Sequence, residues 1–72
     1  MVSAWKTGNR LTVHNGGSNA VTNVQTVPGE VIALRLRPGE SVGVQGSPNL
    51  HYARVKYFDS LGQLCEVDVE DR

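Results

Sequence analysis

The stretch LRLRPGESVGV, Leu34–Val44, decides the fold of this 72-residue chain. Before its Pro-Gly pair, aliphatic side chains alternate with small or basic ones. This period of two indicates a β-strand with one face toward a core and the other toward solvent or a partner. We expect the core face to carry Ile32, Leu34 and Leu36, and the opposite face to carry Ala33, Arg35 and Arg37.

Pro38 and Gly39 predict a type II turn after this strand, because proline fixes the first central φ and glycine supplies the positive second one. A second strand follows, with Val42 and Val44 on its inner face. Type II turns do not match the twist of a tight hairpin, so we expect this turn to carry the chain between two sheets. Val27–Glu30 repeats the Pro-Gly-Glu sequence and predicts a similar turn.

Two alternating segments near the C-terminus, His51–Phe58 and Gln63–Val69, predict a β-hairpin. The connecting Ser60-Leu61-Gly62 fits a type I turn followed by a left-handed glycine. This turn sets a register in which one face is apolar and the other pairs opposite charges, and the agreement of the two patterns supports the hairpin. The expected pairs are Tyr57 with Cys65, Val55 with Val67, Ala53 with Val69, Lys56 with Glu66, and Arg54 with Asp68.

No segment of the remaining chain shows apolar residues at a sustained helical spacing. Short alternating segments within residues 2–6, 10–14 and 20–26 are separated by glycine-rich turns, which is typical of all-β proteins. We therefore predict one all-β domain over residues 1–72, a small β-sandwich or compact barrel of about six strands. The polar residues 70–72 are expected to form a frayed tail.

Composition limits the function classes. Seven basic and seven acidic residues give no net charge, which argues against a general nucleic-acid binder. No apolar run is long enough for a signal peptide or a membrane span, so we expect a location in the cytoplasm of the cell that makes the protein, without a membrane partner. A single cysteine excludes an intrachain disulfide.

No motif for catalysis or for a cofactor is apparent. His14, His51 and Cys65 lack the close pair spacings of structural zinc sites, so we expect no metal and interpret Cys65 as a small core residue. No nucleophile, base and orienting group form a recognisable set, and a domain of this size has little room for a substrate pocket. The glycine-rich Asn15–Ser18 lacks the lysine and helix of a phosphate loop. We predict a non-enzymatic protein with no cofactor and no small-molecule substrate.

One predicted strand interleaves aromatic and basic side chains, Tyr52, Arg54, Lys56 and Phe58. That composition is typical of a single-stranded nucleic-acid platform, which Arg35 and Arg37 would extend. The predicted register places acidic residues opposite the basic ones and would neutralise them. Aromatic and arginine side chains are equally typical of protein interfaces, so nucleic-acid binding is the alternative and protein contact the main hypothesis.

A chain this short builds a small core and has neither a disulfide nor an expected metal to support it. Trp5 lies near the N-terminus, and several apolar side chains fall on the face opposite the core. We therefore expect a homo-oligomer or a larger protein assembly, although a closed barrel that buries these groups within a monomer is a competing account. The candidate interaction residues are Trp5, Arg35, Arg37, Tyr52, Arg54, Lys56, Phe58 and Leu64.

The segments LTVHN, GSN, AVTNV and LRPGESVGV, all within Leu11–Val44, resemble small β-sandwich modules of phage virion proteins, such as decoration, head-fibre, adaptor or tail components. The resemblance covers less than half of the chain, and its motif encodes turns, so no functional residue is carried over. It implies a structural, protein-binding role in a virion. A small inhibitor or regulator directed at a host protein is a further alternative.

Overall fold

The structure, a computed structural model, describes residues 1–46 and 52–72. These residues form seven β-strands and contain no helix, so the predicted all-β class is confirmed, with one strand more than expected. The strands are β1 (Val2–Thr7), β2 (Arg10–Asn15), β3 (Val21–Val27), β4 (Val31–Leu36), β5 (Ser41–Gln45), β6 (Arg54–Phe58) and β7 (Leu64–Asp71).

The strands form one curved sheet in the order β4-β3-β6-β7-β1-β2-β5. All neighbours are antiparallel except β1 and β7. Strand β7 joins the two halves of the sheet, because its first five residues pair with β6 and its last three pair with β1. The sheet thereby wraps around one core in a barrel-like way, with β4 and β5 as its two edges.

Side chains from both halves of the sheet fill the core. The buried apolar residues are Val2, Ala4, Leu11, Val13, Val21, Val24, Leu36 and Val55. Half-buried side chains pack around them, including Ile32, Val42, Tyr57 and Val69. The core is aliphatic and small, as the chain length predicts.

The two Pro-Gly turns differ from each other. The Arg37–Glu40 turn has Gly39 at φ 80° and connects β4 to β5, which do not pair with each other. The turn is not a tight hairpin, as predicted, but it joins the two edge strands of a single sheet, whereas the sequence predicts a link between two sheets. The Val27–Pro28 peptide is cis, and Gly29 has φ 151°. Because Gly29 has a φ of 151° and Gly39 one of 80°, the prediction that the two turns are alike is wrong.

The C-terminal hairpin has the predicted register at every pair from Arg54–Asp68 to Phe58–Leu64. The Asp59 N–H donates to the Gln63 carbonyl at 2.9 Å, and Gly62 has φ 76°, as the predicted turn requires. The Val69 N–H donates to the Ala53 carbonyl. Strand β6 begins at Arg54, and the predicted start at residue 51 lies outside the described residues.

The prediction that Leu34 faces the core is wrong, since 76% of its surface is exposed. Asn23 has φ 50°, and the pairing of β3 with β6 shifts there by one residue. This bulge places Val21 and Val24 both in the core, three positions apart. Their partners on β4, Leu36 and Ala33, turn inward with them, and Leu34 between them is left outside.

The end of the chain also differs from expectation. Strand β7 continues to Asp71, and the Arg72 N–H donates to the Lys6 carbonyl at 2.8 Å. Residues 70–72 are thus paired with β1 instead of forming the frayed tail that their polarity predicts.

Candidate functional site

The outward side chains of the C-terminal hairpin form the candidate site, which we call the hairpin face. On this face β6 presents two basic groups and β7 presents two acidic groups, and each strand adds one apolar side chain at the same end. Regular antiparallel pairing sets their positions, because directly opposed residues point to the same side of a sheet. The hairpin face consists of Arg54, Lys56, Phe58, Leu64, Glu66 and Asp68.

The charged half of the hairpin face is internally paired. The Arg54 guanidinium lies 3.2 Å from the Glu66 carboxylate and 3.5 Å from that of Asp68. The Lys56 ammonium lies 3.8 Å from Glu66. Each such exposed pair contributes only about 0.2–1 kcal/mol, so these contacts hold the side chains in place more than they stabilise the fold.

The apolar half of the hairpin face is a row at one end of the sheet. Phe58 is half-buried, and 54% of the Leu64 surface is exposed. Phe58 pairs with Thr22 on its other side, and Thr22 pairs with Arg35, so polar side chains on β3 and β4 continue from this apolar row. Leu61, 81% exposed, lies at the hairpin tip beside this row.

Two other predicted contact residues lie near this row. Arg35 is exposed on β4, and Arg37 is exposed just beyond the end of that strand. Among the described residues, neither guanidinium lies in an ion pair. The Arg37 backbone N–H donates to the Glu40 carboxylate at 2.7 Å, which fixes the turn.

The other two candidates, Tyr52 and Trp5, are not part of the hairpin face, although Trp5 lies on the same outer side of the sheet, level with Glu70 of β7. Tyr52 precedes β6 and therefore does not follow its alternation; it packs against the core. Trp5 is half-buried on the outer side of β1, where the Arg72 guanidinium carbon lies 4.3 Å from the centroid of the indole ring. The predicted strip of two aromatic and two basic side chains is thus reduced to Arg54, Lys56 and Phe58.

A titratable cluster lies beside the hairpin turn. Burial, with the nearby Cys65 thiol and Asp59 carboxylate, raises the pKa of the Tyr57 phenol above its ordinary value of 10.0. The Cys65 sulfur lies 3.8 Å from an Asp59 oxygen and is half-buried, outside the core in which the sequence places it. The other Asp59 oxygen accepts hydrogen bonds from the N–H groups of Leu61 and Gln63.

Asn15 is a buried polar residue beside the site, and its network of hydrogen bonds was not predicted from the sequence. It is buried, with 1% of its surface exposed. Its amide donates to the Asn19 and Leu36 carbonyls at 2.9 and 3.0 Å, and its side-chain oxygen accepts from the Gly17 N–H. The only sequence signal was its position at the end of an alternating strand before a glycine pair.

An open cleft of about 270 Å³ adjoins this residue. Its walls include Val21, Tyr57, Asp59 and Ser60. A ligand pocket typically has about 300–1,000 Å³, so this cleft is small. Within the part of the chain that the structure describes, no group of three His, Cys, Asp or Glu side chains is placed to hold a metal ion.

Comparison of the chain with protein-family models, curated proteins and solved structures gives no match. The residues described here include no helix with the length and apolar character needed to cross a membrane. The candidate site therefore rests on the geometry of the hairpin face.

Proposed function

We propose that this chain is a non-enzymatic protein-interaction module that binds through the hairpin face. The observation that carries the proposal is the row of half-buried Phe58 and exposed Leu64 on a regular hairpin, bordered by paired charges. Interfaces commonly combine an apolar centre with a polar rim. A regular hairpin also loses little conformational freedom on binding, which favours affinity.

The phage resemblance refines this proposal to a virion component that acts in an assembly. The residues that carry the resemblance form one connected unit. Asn15, at the end of LTVHN, bonds through its backbone to the Pro-Gly-Glu turn, where its N–H donates to the Glu40 carbonyl and its carbonyl accepts from the Gly39 N–H. This supports an architectural role for the motif, in keeping with a structural module.

Single-stranded nucleic acid is the less favoured partner. Arg54 and Lys56 are already engaged by Glu66 and Asp68, and those carboxylates would repel a phosphate backbone. Tyr52 packs on the core and is not available on this face for stacking on a base.

Photo-crosslinking in the native host tests the proposal. A photoreactive amino acid replaces Leu64 in one variant and Gln45, an exposed residue of β5, in the control. We expect Leu64 to yield a defined protein adduct that the control lacks. A nucleic-acid adduct, or no adduct above the control, would contradict the proposal.

Mass spectrometry of purified particles then tests the virion assignment. Presence of the chain in particles at a constant ratio to the major coat protein would support it. If the chain is absent from particles and the Leu64 adduct contains a host protein, the host-directed regulator replaces the virion component while protein binding itself still holds.

A further inference from the structure

The hairpin face has a charge pattern that is complementary to itself. All basic groups lie on β6 and all acidic groups lie on β7, one strand away. Each basic residue lies level with an acidic one, since Arg54 pairs with Asp68 and Lys56 with Glu66. A partner of a single charge sign would meet like charge on half of this surface, whereas a face with the same two stripes meets opposite charge throughout.

We propose that the hairpin face binds a second copy of this chain about a twofold axis that runs parallel to the strands, midway between β6 and β7. The inference rests on the proposed function and names its partner. A twofold contact uses the same patch on both copies, and the two faces would stack about 10 Å apart, as packed sheets do.

This operation lays β6 of one copy over β7 of the other without a shift along the strands. Each β6 residue then faces, across the interface, the same β7 residue with which it pairs inside its own chain. Arg54 meets the second copy's Asp68, and Phe58 meets the second copy's Leu64, so apolar groups meet at one end and opposite charges along the rest. A twofold axis perpendicular to the strands would instead place β6 over β6, with basic groups facing Phe58 and each other.

A charge-exchanged variant tests this arrangement. It carries four substitutions, Arg54→Glu, Lys56→Glu, Glu66→Lys and Asp68→Arg, which invert both stripes and keep opposite charges paired within each chain. We expect the wild type and the variant each to form dimers. We expect their mixture, under reducing conditions so that Cys65 cannot crosslink, to contain fewer mixed dimers by native mass spectrometry than random exchange produces.

A second variant, Leu64→Glu, keeps the test decisive if the exchanged chain does not fold, which circular dichroism reports. Leu64 is half exposed, so the monomer should keep its fold. The dissociation constant of the dimer should rise at least about tenfold, because a buried apolar contact is replaced by an unpaired charge. Undiminished dimerisation of this variant would overturn the inference.

The remaining outcomes separate the inference from the proposed function. Preferential formation of mixed dimers would indicate β6 over β6 and overturn the arrangement. A wild type that stays monomeric at high micromolar concentration, while Leu64 crosslinks to a different protein, would overturn self-association and leave the interaction module intact. A monomer without a Leu64 adduct would reject both.

Discussion

Replacement of Asn15 by alanine tests whether one buried amide stabilises the contact between the end of β2, the loop that follows it and β4. The substitution removes three side-chain hydrogen bonds, to the Asn19 carbonyl, the Leu36 carbonyl and the Gly17 N–H. At about 1 kcal/mol each, these contribute about 3 kcal/mol. The hydrogen bond to Leu36 is buried, and a carbonyl left there without a partner costs a further ~1–3 kcal/mol.

The expected loss is therefore about 4–6 kcal/mol, against a total stability of about 4–11 kcal/mol for a domain of this length. Urea denaturation followed by far-ultraviolet circular dichroism measures the change. The urea concentration at the unfolding midpoint should fall, while the slope of the unfolding free energy against urea concentration stays constant. The melting temperature should fall by at least about 16 °C.

Asn19→Ala is the matched control. Asn19 is exposed and contributes only its backbone carbonyl to the network, so its truncation should change stability by less than about 0.5 kcal/mol. If Asn15→Ala costs no more than this control, the amide network does not stabilise the fold and the reasoning is refuted.

Three further predictions concern the C-terminal hairpin. Gly62→Ala should destabilise the protein by about 1–2 kcal/mol in urea denaturation, because φ is 76° and a new methyl group there meets no other atom, which leaves backbone strain as the only cost. Asp59→Ala should cost about 1–3 kcal/mol in the same assay through loss of the hydrogen bonds from Leu61 and Gln63, whereas Asp59→Asn, which keeps an acceptor oxygen, should cost less. The Tyr57 phenol has a raised pKa in the fold, so its contribution to stability is complete below pH 10 and is lost as the pH rises through the folded pKa. In alkaline denaturation the Tyr57→Phe variant should not show this loss of stability. Identical pH profiles for the wild type and the variant would contradict the burial of the phenol.

The C-terminal hairpin was predictable because local signals determine it. The Asp-Ser-Leu-Gly turn sets the register, and the apolar and charged pairs independently agree with it. Asn15 was not predictable, because its acceptors come from a loop and from β4, and distant partners leave no local pattern. Tyr52 was misplaced because period-two reasoning was extended beyond the first residue of β6, where alternation no longer applies.

The error at Leu34 affects how the candidate surface is interpreted. Asparagine is one of the few side chains that tolerate positive φ, so Asn23 permits a bulge that changes which residues of β3 and β4 face inward. The exposure of Leu34 follows from this shift in the strands and does not by itself indicate a binding surface. Leu64 lies in regular register beside charged neighbours, where any polar residue would fit the fold equally well. Its exposure has no such structural cause, and for that reason the case for a protein contact rests on Leu64 and its neighbour Phe58.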